Sequence, residues 1–383
     1  MRYRPMGRTG VKVSVLGFGC MRLPTVSGRR SFHGRVDEPE AQRILRQAFD
    51  HGVNYFDTAY NYHAGRSESI LGGFQADVGR EGLLIATKLP GWHVKRASDF
   101  RRIFNVQLRR LKTDHIDFYL LHGLGGSSFE RLRQMRVLDF VADLKREGRI
   151  RFAGFSFHDE AAAFRPIVHA FDWDMCQIQY NFIDEKYQAG RAGLRHAARR
   201  GLGVVVMEPL RGGDLVGFMP DSVKSVWDRA GRTRASAEVC LSWLWDQPEV
   251  STVLSGMSAS DQLLQNISTA SRAAPGMLSD SDRRLVSRVR TAYARLPVIP
   301  CTRCGYCMPC PFGVAIPANF EAYNTGVLFP GSGRAGMLYN TWMKKEQRAS
   351  ACRACGRCEE RCPEKLQVRE LMKKVAGSLE RRR

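Results

Sequence analysis

Short apolar runs and helix-period segments alternate through residues 11–272 until eight strand–helix units have passed. Consecutive strands joined by helical crossovers lie parallel, and a parallel sheet must be covered by its helices. Eight units in roughly 250 residues are the content of a closed (β/α)8 barrel of the TIM type. The runs read as strands are 11–19, 53–56, 83–88, 118–122, 151–156, 175–180, 204–207 and 250–254. The segments read as helices are 38–51, 67–76, 98–111, 129–147, 160–171, 189–200, 235–245 and 260–272. In the first of these, Ala41, Ile44, Leu45, Ala48 and Phe49 fall on one helical face, and Gly52 stops it. Residues 24–37 read as a polar loop.

Unusual polar residues close three of the strands. Asp57 follows 53–56, with Tyr62 in the loop beyond; Lys88 closes 83–88, and His122 closes 118–122. Catalytic groups of such barrels sit at the C-terminal ends of the strands, so these four are expected on one rim. A phenol ordinarily titrates near pH ~10, and a nearby ammonium favours its anion and lowers that value. A carboxylate beside the lysine keeps it charged, and a histidine can donate to a carbonyl oxygen. Together they suit an alkoxide forming from a carbonyl, with proton transfer contributing about 10² to 10⁴ in rate. Taken singly, Tyr62 reads as packing, Asp57 as a helix cap and His122 as a structural histidine. Lys88 resists a plain reading, because burying a charge without a partner is costly.

The eleven cysteines divide unevenly. Cys20, Cys176 and Cys240 lie in apolar contexts and read as small core residues. The other eight fall in two groups, a pattern of metal binding in a reducing compartment, not of disulfides. Cys352, Cys355, Cys358 and Cys362-Pro363 spell C-x₂-C-x₂-C-x₃-C-P, the bacterial ferredoxin run for a [4Fe–4S] cluster. Cys301, Cys304, Cys307 and Cys310-Pro311 form a near copy, one residue shorter before the last cysteine. Zinc also takes four thiolates, but its ribbons set two C-x₂-C pairs well apart. Two clusters are therefore expected. By analogy with two-cluster ferredoxins, Cys301, Cys304, Cys307 and Cys362 hold one, and Cys352, Cys355, Cys358 and Cys310 hold the other. The segment between the runs carries Phe320, Tyr323, Phe329, Tyr339 and Trp342 and reads as an ordered insertion packing on the barrel. Within it, Gly331–Gly336 spells G-x-G-x-x-G, but Cys352 and its neighbours lie where a dinucleotide fingerprint needs its acidic residue, so it reads as a turn.

The opening Gly7-Arg8-Thr9-Gly10-Val11-Lys12-Val13-Ser14-Val15-Leu16-Gly17-Phe18-Gly19 is similar to the N-terminal signature of the aldo-keto reductases. Asp57 with Tyr62, then Lys88, then His122, match that family's catalytic tetrad in order and spacing. The resemblance spans about residues 1–275. It implies Tyr62 as general acid, Lys88 and Asp57 tuning it, and His122 orienting the substrate carbonyl. It also implies a nicotinamide cofactor at the strand ends. Ser156 carries over from the family's Ser-Asn pair, where Phe157 replaces the Asn, and Gln177 matches the carboxamide-binding glutamine. Met207 stands where many members stack an aromatic ring, and Pro209 and Leu210 follow as the seventh loop would. Gly256 opens a segment that replaces the usual basic one, and Asn266 fits a late asparagine. Gln262 falls where an arginine often binds the 2′-phosphate, which leaves NADP and NAD both open. With the cysteine runs, the chain resembles the subgroup carrying a C-terminal 4Fe-4S dicluster domain.

The expected organisation is an α/β (β/α)8 barrel over 1–275, a linker helix over 276–300, a small ferredoxin-like dicluster domain over 301–366, and a C-terminal helix with basic tail over 367–383. The net charge of +21 comes mostly from arginine dispersed along the chain. Without a stripe of interleaved aromatics it reads as a solvated surface and not as a nucleic-acid groove. No apolar run reaches some 18 residues, so no membrane span is expected, and the N-terminus lacks a secretory h-region. A cytoplasmic enzyme interconverting a small-molecule carbonyl and alcohol with NADP or NAD is the leading expectation. The alternatives are an electron-transfer protein served by a ferredoxin or flavoprotein, and a non-enzymatic redox or iron sensor.

Overall fold

The computed structural model describes residues 1–28, 34–230 and 235–380. Part of the expected loop at 24–37 and the last three residues of the basic tail lie outside them. The chain divides into two compact units, Met1–Gly212 with Arg234–Asp280, and Gly213–Thr233 with Ser281–Arg383.

The first unit opens with an antiparallel hairpin, β1 (Tyr3–Pro5) and β2 (Lys12–Ser14). Eight parallel strands follow: β3 (Leu16–Gly19), β4 (Tyr55–Asp57), β5 (Leu84–Leu89), β6 (Ile116–Leu124), β7 (Ile150–Phe157), β8 (Met175–Gln179), β9 (Gly203–Met207) and β10 (Thr252–Ser255). They close in sequence order, with β10 pairing back to β3. The expected first strand at 11–19 is therefore two elements. Its first half pairs in the hairpin, and only Leu16–Gly19 enters the barrel. Met6 and Val13 join Tyr55, Ala86, Phe118 and Val205 in one buried cluster, so the hairpin adds its own side chains to the apolar core.

The covering helices are α1 (Glu38–Asp50), α2 (Arg66–Val78), α3 (Ser98–Leu111), α4 (Gly126–Gln134), α5 (Val137–Arg146), α6 (Ala161–His169) and α7 (Gly190–Arg199). Asp37 caps α1 by accepting from the Glu40 amide, and Ala41, Ile44, Leu45 and Ala48 are its buried face. The single helix expected over 129–147 is broken, because Arg136 takes a left-handed conformation with φ 62° between α4 and α5. Two short helices, α8 (Asp214–Gly217) and α9 (Asp221–Asp228), precede α10 (Ser236–Trp245) and α11 (Ser260–Ala270). The sequence reading had no element there.

The second unit contains α8, α9, most of α12 (Asp280–Ala294), α13 (Ile316–Leu328), α14 (Arg334–Met337), α15 (Arg357–Glu360) and α16 (Val368–Leu379). Its core is its own: Ile316, Phe320, Tyr323, Tyr339, Met372 and Val375 are buried together. Asn324 clamps the approach to the first cysteine run, accepting from the Ile299 amide at 2.7 Å and donating to its carbonyl at 2.8 Å. Phe329 is buried and Trp342 is exposed. The G-x-G-x-x-G stretch follows α13 as a turn and leads into the four-residue α14, with no strand before it. Among the described residues no helix is long and apolar enough to cross a membrane.

Gly72 marks the tightest helix contact in the barrel. A β-carbon there would overlap the Arg110 carbonyl oxygen and lie 2.7 Å from the Leu111 carbonyl carbon. Rigid backbone cannot give way as a side chain would. Gly72→Ala should therefore lower stability by about 1–3 kcal/mol, read as a depressed thermal midpoint. An unchanged midpoint would mean that α2 and α3 are not in fixed contact.

Candidate active site

The pleat of β4 and β5 sets the centre of the site. Asp57 ends β4 opposite Ala86, and Lys88 lies two residues farther along β5. The Lys88 ammonium donates to Asp57 Oδ1 at 2.7 Å and to the Thr58 carbonyl at 2.7 Å. Lys88 is fully buried and Asp57 is 2% exposed. Burial pushes Asp57 up and would push Lys88 down. The pair resists both shifts, and Lys88 ends above its ordinary value through Asp57 and Tyr62. Removing one partner of such a pair typically costs about 3–5 kcal/mol, because the other is left charged and alone.

Tyr62 starts a short 3₁₀ turn, Tyr62–Gly65, in which His63 and Ala64 hold left-handed conformations with φ 48° and 53°. Such conformations cost of order ~1–3 kcal/mol each away from glycine, so neighbours must hold them. His63 Nε2 accepts from the Leu23 amide at 3.2 Å, and Arg110 donates to the Tyr60 carbonyl at 2.9 Å while stacking on the Tyr60 ring. The Lys88 ammonium lies 5.0 Å from the Tyr62 ring centre. The sequence argument expected a lowered phenol pKa. In this pocket burial outweighs Lys88, and Tyr62 stands above its ordinary value. The phenol therefore keeps its proton through neutral pH.

His122 lies on β6 beside Tyr62, ring centres 5.9 Å apart. Burial, with the positive charge of Lys88 and the neighbouring His158, drives its pKa well below the ordinary 6.5. The imidazole is neutral and can donate or accept without adding charge. Its Nδ1, Asp57 Oδ2 and Gln177 Oε1 are buried without a hydrogen-bond partner among the described residues. Buried polar atoms are nearly always satisfied, so three orphans on the alternate strands β4, β6 and β8 mark a place built for a polar ligand.

A second buried network lies behind this centre, and the sequence reading missed it. Gln107 on α3 donates to the Lys88 carbonyl at 3.0 Å and to Glu68 at 2.8 Å. Glu68 also accepts from Thr87 at 2.7 Å and from Arg110 at 3.1 Å. One fully buried carboxylate thus ties Lys88's strand to the loop carrying Tyr62. Its signal was present: Glu68 shares a helical face with Leu71 and Gln75, an inward position.

Of the candidate cofactor residues, Gln177 and Met207 meet, with Gln177 Nε2 3.5 Å from the Met207 sulfur. Ser156 accepts from the Gly123 amide at 2.7 Å, next to His122. Asn266 donates to Ser255 at 3.1 Å, and Gln262 accepts from the Ser258 amide at 3.2 Å, both beyond the end of β10. Gly256 follows β10 directly, and Pro209 and Leu210 form the turn after β9. Arg22, unforeseen from sequence, donates to the Gly212 carbonyl at 2.7 Å and joins the loops after β3 and β9. The unpartnered Gln177 amide oxygen on β8 fits a carboxamide such as that of nicotinamide.

In the second unit, Cys301, Cys304, Cys307 and Cys362 line one cavity with Phe320 and Leu366. Cys352 and Cys358 pack against the unit's core, as does Cys310. Cys304 and Cys355 are exposed. A donor set of thiols alone, four around one cavity, suits an iron–sulfur cluster. Cys20, Cys176 and Cys240 are buried, as expected of core residues.

The Aldo/keto reductase family matches residues 15–275, and the 4Fe-4S dicluster domain matches residues 300–366. An uncharacterized oxidoreductase, YqkF, of Bacillus subtilis is 26% identical over 70% of this chain and 91% of its own. An NADH-specific methylglyoxal reductase of Escherichia coli is 24% identical over 77% of this chain and 100% of its own. Among solved structures, aldo-keto reductase AKR11C1 from Bacillus halodurans, in its holo form, superposes with a TM-score of 0.63. It is 26% identical and covers 76% of this chain and 96% of its own.

The neutral state of His122 has a measurable consequence. Its folded-state pKa lies below the unfolded value of 6.5. As pH falls through that value the unfolded chain gains a proton that the folded chain refuses, so stability present above it is lost below it. His122→Asn should make the thermal midpoint fall less steeply than in the wild type between pH about 6.5 and 5. Parallel slopes would show that the imidazole is not held neutral.

Proposed function

The chain belongs to the aldo/keto reductase family, and from that premise we propose that it interconverts a carbonyl and an alcohol with Tyr62 as general acid. The observation that carries this reading is the buried Lys88–Asp57 pair with its ammonium 5.0 Å from the Tyr62 ring centre. A bound nicotinamide would supply or accept the hydride, with Gln177, Ser156 and Asn266 among the residues that hold it. Tyr62 donates its proton to the carbonyl oxygen as that oxygen gains electron density. Lys88 stabilises the phenolate left behind, and Asp57 holds Lys88 charged and aimed. The neutral His122 directs the carbonyl oxygen toward Tyr62 by hydrogen bonding. Whether NADP or NAD is preferred follows from the adenosine end, where Gln262 brings no cation.

We assign the eight grouped cysteines to two [4Fe–4S] clusters, with Cys362 completing the first set and Cys310 the second. Their role in this reading is structural. Cys310, Cys352 and Cys358 pack on the core of their own unit, so cluster assembly and folding of that unit are one event. A second reading, a relay to a ferredoxin or flavoprotein, draws on the exposure of Cys304 and Cys355, one corner of each set. Cluster chemistry and grouped thiols support a reducing compartment such as the cytoplasm in this reading.

Tyr62→Phe removes one oxygen and leaves the packing. Turnover of any accepted aldehyde should drop by about 10² to 10⁴ while nicotinamide binding, read by fluorescence, persists. Retained turnover would overturn the assignment. In the wild type, reduction should stay level through neutral pH and decline only above the ordinary tyrosine value of 10.0.

A further inference from the structure

Asp184 is a buried carboxylate that the chemistry at Tyr62 does not use. It lies in the loop between β8 and α7 and is 7% exposed. Three side chains converge on it. Asn181 donates to its Oδ2 at 2.7 Å, and Gln179, the last residue of β8, does so at 3.2 Å. Arg211, in the loop after β9, takes both oxygens, Nε to Oδ2 at 2.7 Å and Nη2 to Oδ1 at 3.0 Å. Asn181 Oδ1 in turn accepts from the Ile183 and Asp184 amides, both at 3.1 Å, which fixes the turn that presents the carboxylate.

The loop that carries Arg211 is tied at both ends. Asn181 Nδ2 also reaches the Glu208 carbonyl at 3.3 Å, and Arg22 donates to the Gly212 carbonyl at 2.7 Å. Between these ties Glu208 and Arg211 hold left-handed conformations, φ 55° and 46°, that residues other than glycine rarely adopt. The loop leaves β9 at Met207, whose sulfur lies 3.5 Å from Gln177 Nε2. Gln177 Oε1 is one of the three orphaned atoms of the site. The clamp therefore shapes the backbone just beyond the place built for a polar ligand. A buried ion pair is a poor means of stabilisation, because lost hydration offsets most of its attraction, and apolar side chains of similar volume often serve stability as well. What the two-pronged contact adds is direction. It holds the guanidinium, and with it the backbone of Arg211, in one orientation.

Resting on the nicotinamide reading above, we propose that Asp184 is a positioning residue for the dinucleotide. Through Arg211 and Asn181 it presets the backbone of residues 208–212, so that cofactor binding does not have to order that loop. Ordering a loop on binding subtracts from affinity, and a preset loop avoids that loss. Asp184 acts on how tightly the nicotinamide is held, and the proton at Tyr62 is outside its reach.

The test compares the holoprotein with Asp184→Asn and Arg211→Lys. Asp184→Asn removes a negative charge near the site, whereas Arg211→Lys keeps every charge and loses only the fork. Electrostatics alone therefore predicts tighter or unchanged binding of an anionic dinucleotide, and positioning predicts weaker binding in both variants. Fluorescence titration should give a Kd for NADPH or NADH raised about tenfold in each. Hydrogen exchange without nucleotide should quicken in a peptide covering residues 208–212. In turnover of propanal the nicotinamide KM should rise by a similar factor, and the aldehyde KM should not follow it. Thermal midpoint and cluster absorption report folding, and Arg211→Lys carries the test if Asp184→Asn does not fold. A wild-type Kd in both variants, or unaltered exchange at 208–212, overturns the proposal even where the midpoint falls. Wild-type protein that binds neither nucleotide overturns the reductase reading together with it. Nucleotide bound equally well by wild type and variants overturns the positioning role alone, so the two failures are distinguishable.

Discussion

The Lys88–Asp57 ion pair is the constraint on which the rest of the barrel site depends. Two opposite charges can be buried together only when close pairing and further hydrogen bonds offset the water they lose. The register of β4 against β5 brings them to 2.7 Å, and the Thr58 carbonyl takes a second ammonium proton. The strand that carries Lys88 is fixed in turn by Gln107, which hangs from Glu68. Through Arg110 the same Glu68 steadies the carbonyl of Tyr60, two residues before the phenol. The Tyr62 turn can then hold two strained residues in place. Remove the charge pair and Tyr62 loses the ammonium beside its ring, while burial alone still holds its proton.

The second unit solves a different problem. It is the smaller of the two, and its apolar core around Phe320, Tyr323 and Tyr339 is modest. On the structural reading proposed above, cysteines at the edge of that core would let cluster binding contribute to folding, as metals do in other small domains. Tyr339 adds a polar tie, accepting from the Ala349 amide at 3.0 Å and donating to Glu380 at 2.7 Å, so α16 and the approach to the second cysteine run share one anchor.

Much of this was legible in the sequence, because the strongest signals were periodic or chemically unusual. Alternation gave the barrel, and Lys88 on an apolar strand had no plain explanation. The cysteine spacing announced its own chemistry. What escaped has physical reasons. Lys12–Ser14 and Leu16–Gly19 form one apolar run, and nothing local says that the chain turns from hairpin to barrel at Val15. The break at Arg136 is a left-handed residue with no glycine to mark it. Glu68 looked like any helical acid, because periodicity does not reveal whether a charge on the inner face has found partners. The direction of the Tyr62 shift depends on how much water the pocket excludes, and no residue pattern states that.

The most direct measurement is anaerobic stopped-flow mixing of NADPH- or NADH-loaded holoprotein with an aldehyde, following nicotinamide and iron–sulfur absorbance together. Carbonyl reduction at the Lys88–Tyr62 centre predicts loss of nicotinamide absorbance only when aldehyde is present, with the cluster bands unchanged. Bleaching of the clusters by the reduced nicotinamide alone, with the aldehyde left unconsumed, would contradict it.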